Sequence, residues 1–381
     1  MRLFALLALA LFLSTPTLAQ SCPSRDVWPQ DDWAVNLVDP QAKAAEIQAL
    51  EEFAFTLTGE DGERLGLRTN ALLIIKGGRI VYEKYARGFD ASKRHLSWSV
   101  AKSVTSALAG VAVAEGALSL EDSICKHFPE YAGLTEHTGE VCRIRVKDVL
   151  TFTTGLDWTE EYEDKTYQVS SVIAMLFGVG HKDMLGHILS HPLVATPGEK
   201  WLYSTGDGQL LSAVVKRALE KDHGRDAFWK YLFEPIGMKR VVLEEDLKGT
   251  PLGGSMVYAT PRDFARFGYL YLNDGCWNGT RILPQGWVTA SRTISEAYPR
   301  SPVEEDTPCG YMWWLNQAVP EKSQEKPWPD APDDTYAAMG HWGQRVVVIP
   351  SEDVVIVRTA DDREGSVPLN ELIKLSLGVA R

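Results

Sequence analysis

The chain has 381 residues, 45% apolar and 24% charged, a balance that excludes disorder over most of its length and allows one large domain or two ordinary ones. Its 51 acidic residues outnumber its 39 basic ones, giving a formal charge of −12. With no dense Lys/Arg run, that sign argues against nucleic acid and anionic lipid as partners.

The chain starts with a targeting pattern. Arg2 supplies a positive charge, residues 3–13 are all apolar, and Ser14 and Pro16 break the run. Thr17-Leu18-Ala19 has the small-x-small form of a signal-peptidase site. The run falls short of the ~20 residues that span a bilayer. Residues 1–19 therefore read as a signal peptide. The remainder, 20–381, reads as a periplasmic or secreted domain with no stable membrane insertion after cleavage. Cysteines at 22, 125, 142, 276 and 309 all lie beyond the cut, where disulfides persist. Pairing nearest neighbours predicts Cys125–Cys142 and Cys276–Cys309, with Cys22 left over.

Residues 71–75 and 80–85, joined through Gly77-Gly78, read as a β-hairpin. Val100, Val104, Leu108 and Val111 recur at helical spacing and predict a helix over 100–115, stopped by Gly116. Further helices are predicted over 146–151, 208–221 and 261–272, the last with Thr260 as N-cap and Pro261 in its first turn. Strands follow at 345–349 and 354–358, and a helix over 369–377 closes the chain. Strands at both ends and helices between them predict an α/β (α+β) fold. An antiparallel sheet flanked by helices is built from about 35–115 and 255–381, and an all-helical lobe, about 116–254, is inserted. Residues 318–336 hold four prolines and read as a surface loop placed to act as a lid.

The sequence contains neither G-x-S-x-G nor H-E-x-x-H. His187 and His191 stand four apart without a clear third ligand, so no metal and no cofactor is expected. S-x-x-K occurs three times, at Ser99–Lys102, Ser123–Lys126 and Ser323–Lys326. Ser323 lies in the Pro-rich loop, and Ser123 lies just before Pro129 ends any helix. Ser99 opens the long apolar helix. Residues three apart share a helix face, so Lys102 can reach Ser99. Unpaired N–H groups at a helix start can face an oxyanion, and the same positive end, with burial, lowers a lysine pKa.

Further motifs follow in order: Pro197-Gly198-Glu-Lys-Trp201-Leu-Tyr203-Ser204-Thr205-Gly206, then Gly340-His341-Trp342-Gly343-Gln344. With the Ser–Lys pair and the segments 146–155 and 253–267, these resemble the serine β-lactamase and penicillin-binding-protein family, class C branch. The resemblance runs from about residue 65 to 375. It implies Ser99 as acylated nucleophile, with Lys102 and Tyr203 as proton-transfer groups. It further implies the Gln344 N–H as second oxyanion donor and Gly343 as a point of close backbone approach. Members acting on penicillins usually carry Asn where Thr205 stands and Lys where His341 stands. A histidine is mostly neutral at pH 7 and holds a drug carboxylate poorly. The resemblance therefore points to the esterase and amide-hydrolase members, with a small ester or amide as substrate. Residues 155–162 are similar to a segment of 6-aminohexanoate-dimer hydrolases in which a second tyrosine, here Tyr162, would bond the leaving nitrogen. A β-lactamase, a D-Ala-D-Ala carboxypeptidase and a binding protein on the same fold are the rival readings. Trp158, Trp201, Trp313, Trp314 and Trp342 fall near the motifs as candidate cleft walls.

Overall fold

Two apolar runs from opposite ends of the chain form the centre of the molecule. Thr69–Lys76 and Val354–Ala360 pair antiparallel, with Ile74 opposite Ile356, and all seven residues of the latter are buried. Strands buried on both faces read as continuous apolar runs rather than alternating ones. A computed structural model describes residues 21–132, 140–162, 170–302, 307–363 and 367–381. The expected signal segment, 1–19, lies outside the described residues.

The main sheet has seven strands in the order Ala34–Val35, Arg79–Tyr85, Thr69–Lys76, Val354–Ala360, Gln344–Ile349, Tyr336–Gly340 and Trp314–Leu315. Every pairing is antiparallel except that of Ala34–Val35 with Arg79–Tyr85. Gly77 and Gly78 take φ of 57° and 76°, the positive values that a tight two-residue hairpin turn requires. Pro261–Leu272 packs against the central strands, with the Thr260 side chain accepting from the Asp263 N–H as its N-cap. Leu369–Ala380 packs on Ala44–Phe55 and also against the sheet. The expected architecture, an antiparallel sheet from both chain ends flanked by helices, is the one observed.

Between the two halves of the sheet lie the helices Ile124–His127, Val146–Leu150, Ser171–Phe177, Met184–Leu189 and Thr205–His223. Thr205–His223 lies along Val100–Ala114, whose residues 100–112 are all buried. The edge of this lobe is not purely helical. Val242–Leu243 joins Val257–Ala259 and His95–Leu96 in a small three-stranded sheet just before Ser99. Strands of two or three residues are too short to show alternation in sequence.

Two expectations are corrected. Cys125 does pair with Cys142, but Cys276 pairs with Cys22, 254 residues away, and Cys309 is buried outside both disulfides. The N-terminal segment returns to the Pro261–Leu272 helix, where Trp28 packs on Tyr269 and Trp277, and that carries Cys22 to Cys276. The 318–336 loop is anchored rather than poised as a lid. Asn316 Nδ2 donates to the carbonyls of Trp328, Ala331 and Pro332, the Asp330 N–H donates to Asn370, and Trp328 is buried.

A crosslink closing so long a loop restricts the unfolded chain strongly. Replacing Cys22 and Cys276 together by alanine is expected to lower urea-unfolding stability by about 2–5 kcal/mol. Non-reducing peptide mapping should find Cys22 joined to Cys276; a Cys276–Cys309 peptide would contradict the pairing.

Candidate active site

Trp98 and Ser99 form the sharp entry to the Val100–Ala114 helix. Trp98 takes φ +47°, in the left-handed region that costs a bulky residue roughly 1–3 kcal/mol. Its ring is held edge-on by Tyr162, His341 and Trp342, at centroid distances of 5.9, 5.1 and 4.9 Å. Ser99 occupies the N-cap position, yet its side chain makes no capping bond. Its hydroxyl instead lies 2.8 Å from Lys102 Nζ and accepts from it while the amine is charged.

Lys102 is 2% exposed. Its amine also donates to Thr205 Oγ1 at 2.8 Å and to the Gly254 carbonyl at 2.9 Å. Room for the aliphatic stem comes from Gly208, where a Cβ would lie 2.8 Å from Lys102 Cγ. Burial brings the Lys102 pKa down to about 8, opposed by the charges of Glu160 and Asp207. Asp207 is itself buried, which raises its pKa and disfavours its charged form.

The Thr205–His223 helix brings the other groups to this amine. Ser204 caps it, accepting from the Asp207 N–H. Tyr203 stands just before the cap, and Lys102 Nζ lies 5.0 Å from its ring centroid. Burial raises the Tyr203 pKa well above its ordinary value, and the Glu160 charge adds to the shift. Phe152 and Trp314 pack on its ring. Tyr162 stacks on His341 at 4.9 Å, and its hydroxyl lies 3.4 Å from Thr205 Oγ1. Burial raises its pKa too.

Ser99, Lys102, Tyr203, Thr205, Tyr162 and His341 thus come together. Gln344 and Gly343 sit differently. Gln344 is buried, and its side chain bonds both ways with the Ala360 backbone. A Cβ on Gly343, at φ +86°, would collide with Arg358 and Asp362, so its missing side chain makes room for that buried ion pair. The part of this hairpin against the turn before Ser99 is Gly340, where a Cβ would strike the Ser97 carbonyl. Of the tryptophans, Trp314 and Trp342 face site residues and Trp158 supports one, while Trp201 and Trp313 are fully buried in the core.

The other S-x-x-K pairs are taken up elsewhere. Ser123 donates to the Cys142 carbonyl and Lys126 pairs with Asp122. Ser323 sits at φ +52° in a turn, and Lys326 pairs with Asp333. Among the described residues no group of three or more His, Cys, Asp or Glu could hold a metal, and no helix is long and apolar enough to cross a membrane. Sequence reasoning missed Glu160, which accepts from the Thr205 N–H and from Trp158 Nε1, at 2.8 and 2.6 Å, and from the Thr205 hydroxyl. An acid two residues before Tyr162 carries no spacing signal toward a residue 45 positions later.

Comparison with known proteins agrees with this geometry. A 6-aminohexanoate-dimer hydrolase of Paenarthrobacter ureafaciens is 24% identical over 365 residues, covering 90% of this chain and 89% of that one. EstCE1, described as a hydrolase with promiscuous acyltransferase activity, superimposes with a TM-score of 0.65 at 16% identity, over 90% of this chain and 99% of that one. A class C beta-lactamase gives 0.58 at 15% identity, over 89% and 95%. At such identities the structural likeness is one of fold. Together these findings define a serine hydrolase. A family model described as Beta-lactamase matches residues 54–377, and the chain belongs to that family.

The buried amine gives a pH test. Between about 8 and 10.5 the unfolded chain keeps the Lys102 proton that the folded chain has lost, so stability rises with pH there. Measured against Lys102→Met, the wild type should gain about 3 kcal/mol between pH 7 and pH 10.5. A flat difference across that range would show that Lys102 is not held near neutrality.

Proposed function

We propose that this protein is an exported hydrolase that cleaves small esters or amides through an acyl-enzyme on Ser99. The observation that carries the reading is the 2.8 Å contact between Ser99 Oγ and an amine whose burial brings its pKa to about 8. A lysine so perturbed takes the serine proton near neutral pH. Ser99 Oγ then bonds to the substrate carbonyl carbon, and the oxygen charge falls on backbone N–H groups. One is that of Ser99 at the helix start. We take the second from the Gln344 N–H, in the hairpin whose Gly340 lies against the Ser97 carbonyl. Tyr203, beside Lys102, gives its proton to the leaving group as the bond from the carbonyl carbon breaks, and regains one from the water that attacks the acyl-enzyme, while Lys102 returns the serine proton to Ser99 Oγ as the acyl group departs.

The substrate class rests on His341 and Tyr162. An imidazole stacked on Tyr162 takes the place of a lysine ammonium, which removes the fixed cation that would hold a drug's carboxylate. Tyr162 Oη, beside Thr205, is available to an amide's leaving nitrogen. The relative named as a 6-aminohexanoate-dimer hydrolase supports the amide side and EstCE1 the broader hydrolase side. Export is supported by the signal-like first 19 residues and by the Cys22–Cys276 and Cys125–Cys142 disulfides.

Hydrolysis of a short-chain nitrophenyl ester, an amide dimer and a chromogenic cephalosporin should separate the readings. Ester or amide turnover that disappears in Ser99→Ala is expected, with little cephalosporin turnover. Fast cephalosporin hydrolysis would favour a β-lactamase, and loss of none of the activity in Ser99→Ala would remove the nucleophile. kcat/KM for the ester should rise with pH through about 8 as Lys102 loses its proton. Tyr162→Phe is expected to lower amide turnover more than ester turnover; equal losses would exclude the leaving-nitrogen role.

A further inference from the structure

We infer that Glu160 is a positioning residue that fixes the direction of the hydrogen bonds around Lys102, so that the amine's lone pair, and not an N–H, faces Ser99. The inference rests on the proposed roles of Ser99 and Lys102.

A neutral lysine amine has two N–H donors and one lone pair. Three oxygens surround Lys102 Nζ: Ser99 Oγ, Thr205 Oγ1 and the Gly254 carbonyl, at 2.8, 2.8 and 2.9 Å. Two of those are hydroxyls, each able to donate or to accept. If Thr205 gave its hydroxyl proton to the amine, an N–H would turn toward Ser99 Oγ. Lys102 could not then take the serine proton without the whole set rearranging.

Glu160 removes that choice. The Thr205 hydroxyl donates to Glu160 Oε1, and the Thr205 N–H and Trp158 Nε1 both donate to Oε2. Three donors converging on two oxygens is the pattern a carboxylate accepts. With its only proton given to Glu160, Thr205 Oγ1 can only accept from Lys102. The Gly254 carbonyl can only accept as well. The two N–H groups are thereby assigned, and the lone pair is left for Ser99. Glu160 touches neither Ser99 nor Lys102 in this arrangement; it acts through Thr205.

The same network dictates what Glu160→Gln does. Two donors, from Thr205 N and Trp158 Nε1, hold the amide oxygen at the Oε2 position. The amide NH2 must then face Thr205 Oγ1. Thr205 becomes the acceptor from Gln and turns its own proton toward Lys102, reversing the polarity. Lys102 is also faced by Asp207 and Cys309, by Tyr203 above its amine, and by Tyr162 across Thr205. Glu160 favours the Lys102 cation, so removing its charge moves the amine's titration to lower pH.

The test is the pH dependence of kcat and KM for a nitrophenyl ester in Glu160→Gln, Thr205→Val, Thr205→Ser and the Glu160→Gln/Thr205→Val double variant, with Ser99→Ala as control. Glu160→Gln should lose on the order of ten- to hundred-fold in plateau kcat, less than removal of a proton-transfer group itself. KM should change little, and the acidic limb should move to lower pH. Thr205→Val should lose a similar factor, Thr205→Ser should restore what Thr205→Val loses, and the double variant should be no worse than the poorer single one. An unchanged plateau in Glu160→Gln, or losses that multiply in the double variant, would overturn the inference and leave the Ser99 nucleophile standing. If Glu160→Gln fails to fold, a Thr205→Ser enzyme as slow as Thr205→Val overturns it instead. Turnover that survives in Ser99→Ala removes the underlying site reading, and the inference with it.

Discussion

The exclusion of water from the Lys102 amine is the constraint around which the rest of this molecule is arranged. An ammonium with its full hydration would be inert as a base and indifferent to Ser99. Here the side chain is 2% exposed and hydrogen-bonded on three sides. Each side is a different piece of the fold. Ser99 comes from the same helix, one turn back. Thr205 comes from the Thr205–His223 helix packed against it, and the Gly254 carbonyl from a turn just before the Val257–Ala259 strand. Gly208 lets the two helices close over the aliphatic stem. Burying an amine weakens the fold, and the same burial lowers its pKa.

The sheet contributes a rigid wall rather than reacting groups. Arg358 and Asp362, both fully buried, pair with each other, and Asp362 also accepts from the Arg68 N–H. Arg358 further donates to Thr69 Oγ1 and to the Gly343 carbonyl. This network ties the 341–343 turn to the central strands. His341 and Trp342, on that turn, then meet Trp98 and Tyr162 and hold the entry to the Val100–Ala114 helix in its left-handed conformation. Breaking a buried pair of this kind typically costs about 3–5 kcal/mol, so the turn is firmly placed.

The legible parts of the sequence were the local ones. The 261–272 helix agrees at both ends because Thr260 and Pro261 mark its start. The helix over 208–221 begins earlier, at Thr205, because the cap is Ser204, hidden within a motif read for its tyrosine. Cys125 and Cys142 could be paired from proximity in sequence, whereas Cys22 could not be assigned to Cys276 without knowing that the N-terminal segment folds back over the Pro261–Leu272 helix. The 318–336 loop looked free to move because its composition is that of a loop, and the anchor, Asn316, lies just outside it.

Short motifs in the chain single out the residues proposed to carry the chemistry. Ser99, Lys102 and Tyr203 stand in recognisable short motifs, and helical spacing places the first two together. How those groups are set follows from packing alone: Lys102 loses its water, Glu160 reaches Thr205, and Gly343 serves an ion pair while Gly340 meets the turn before Ser99. The physical reason is one of range. Spacing along a helix or strand fixes contacts a few residues apart, whereas burial and hydrogen-bond direction depend on segments a hundred or more residues away, brought together only by packing.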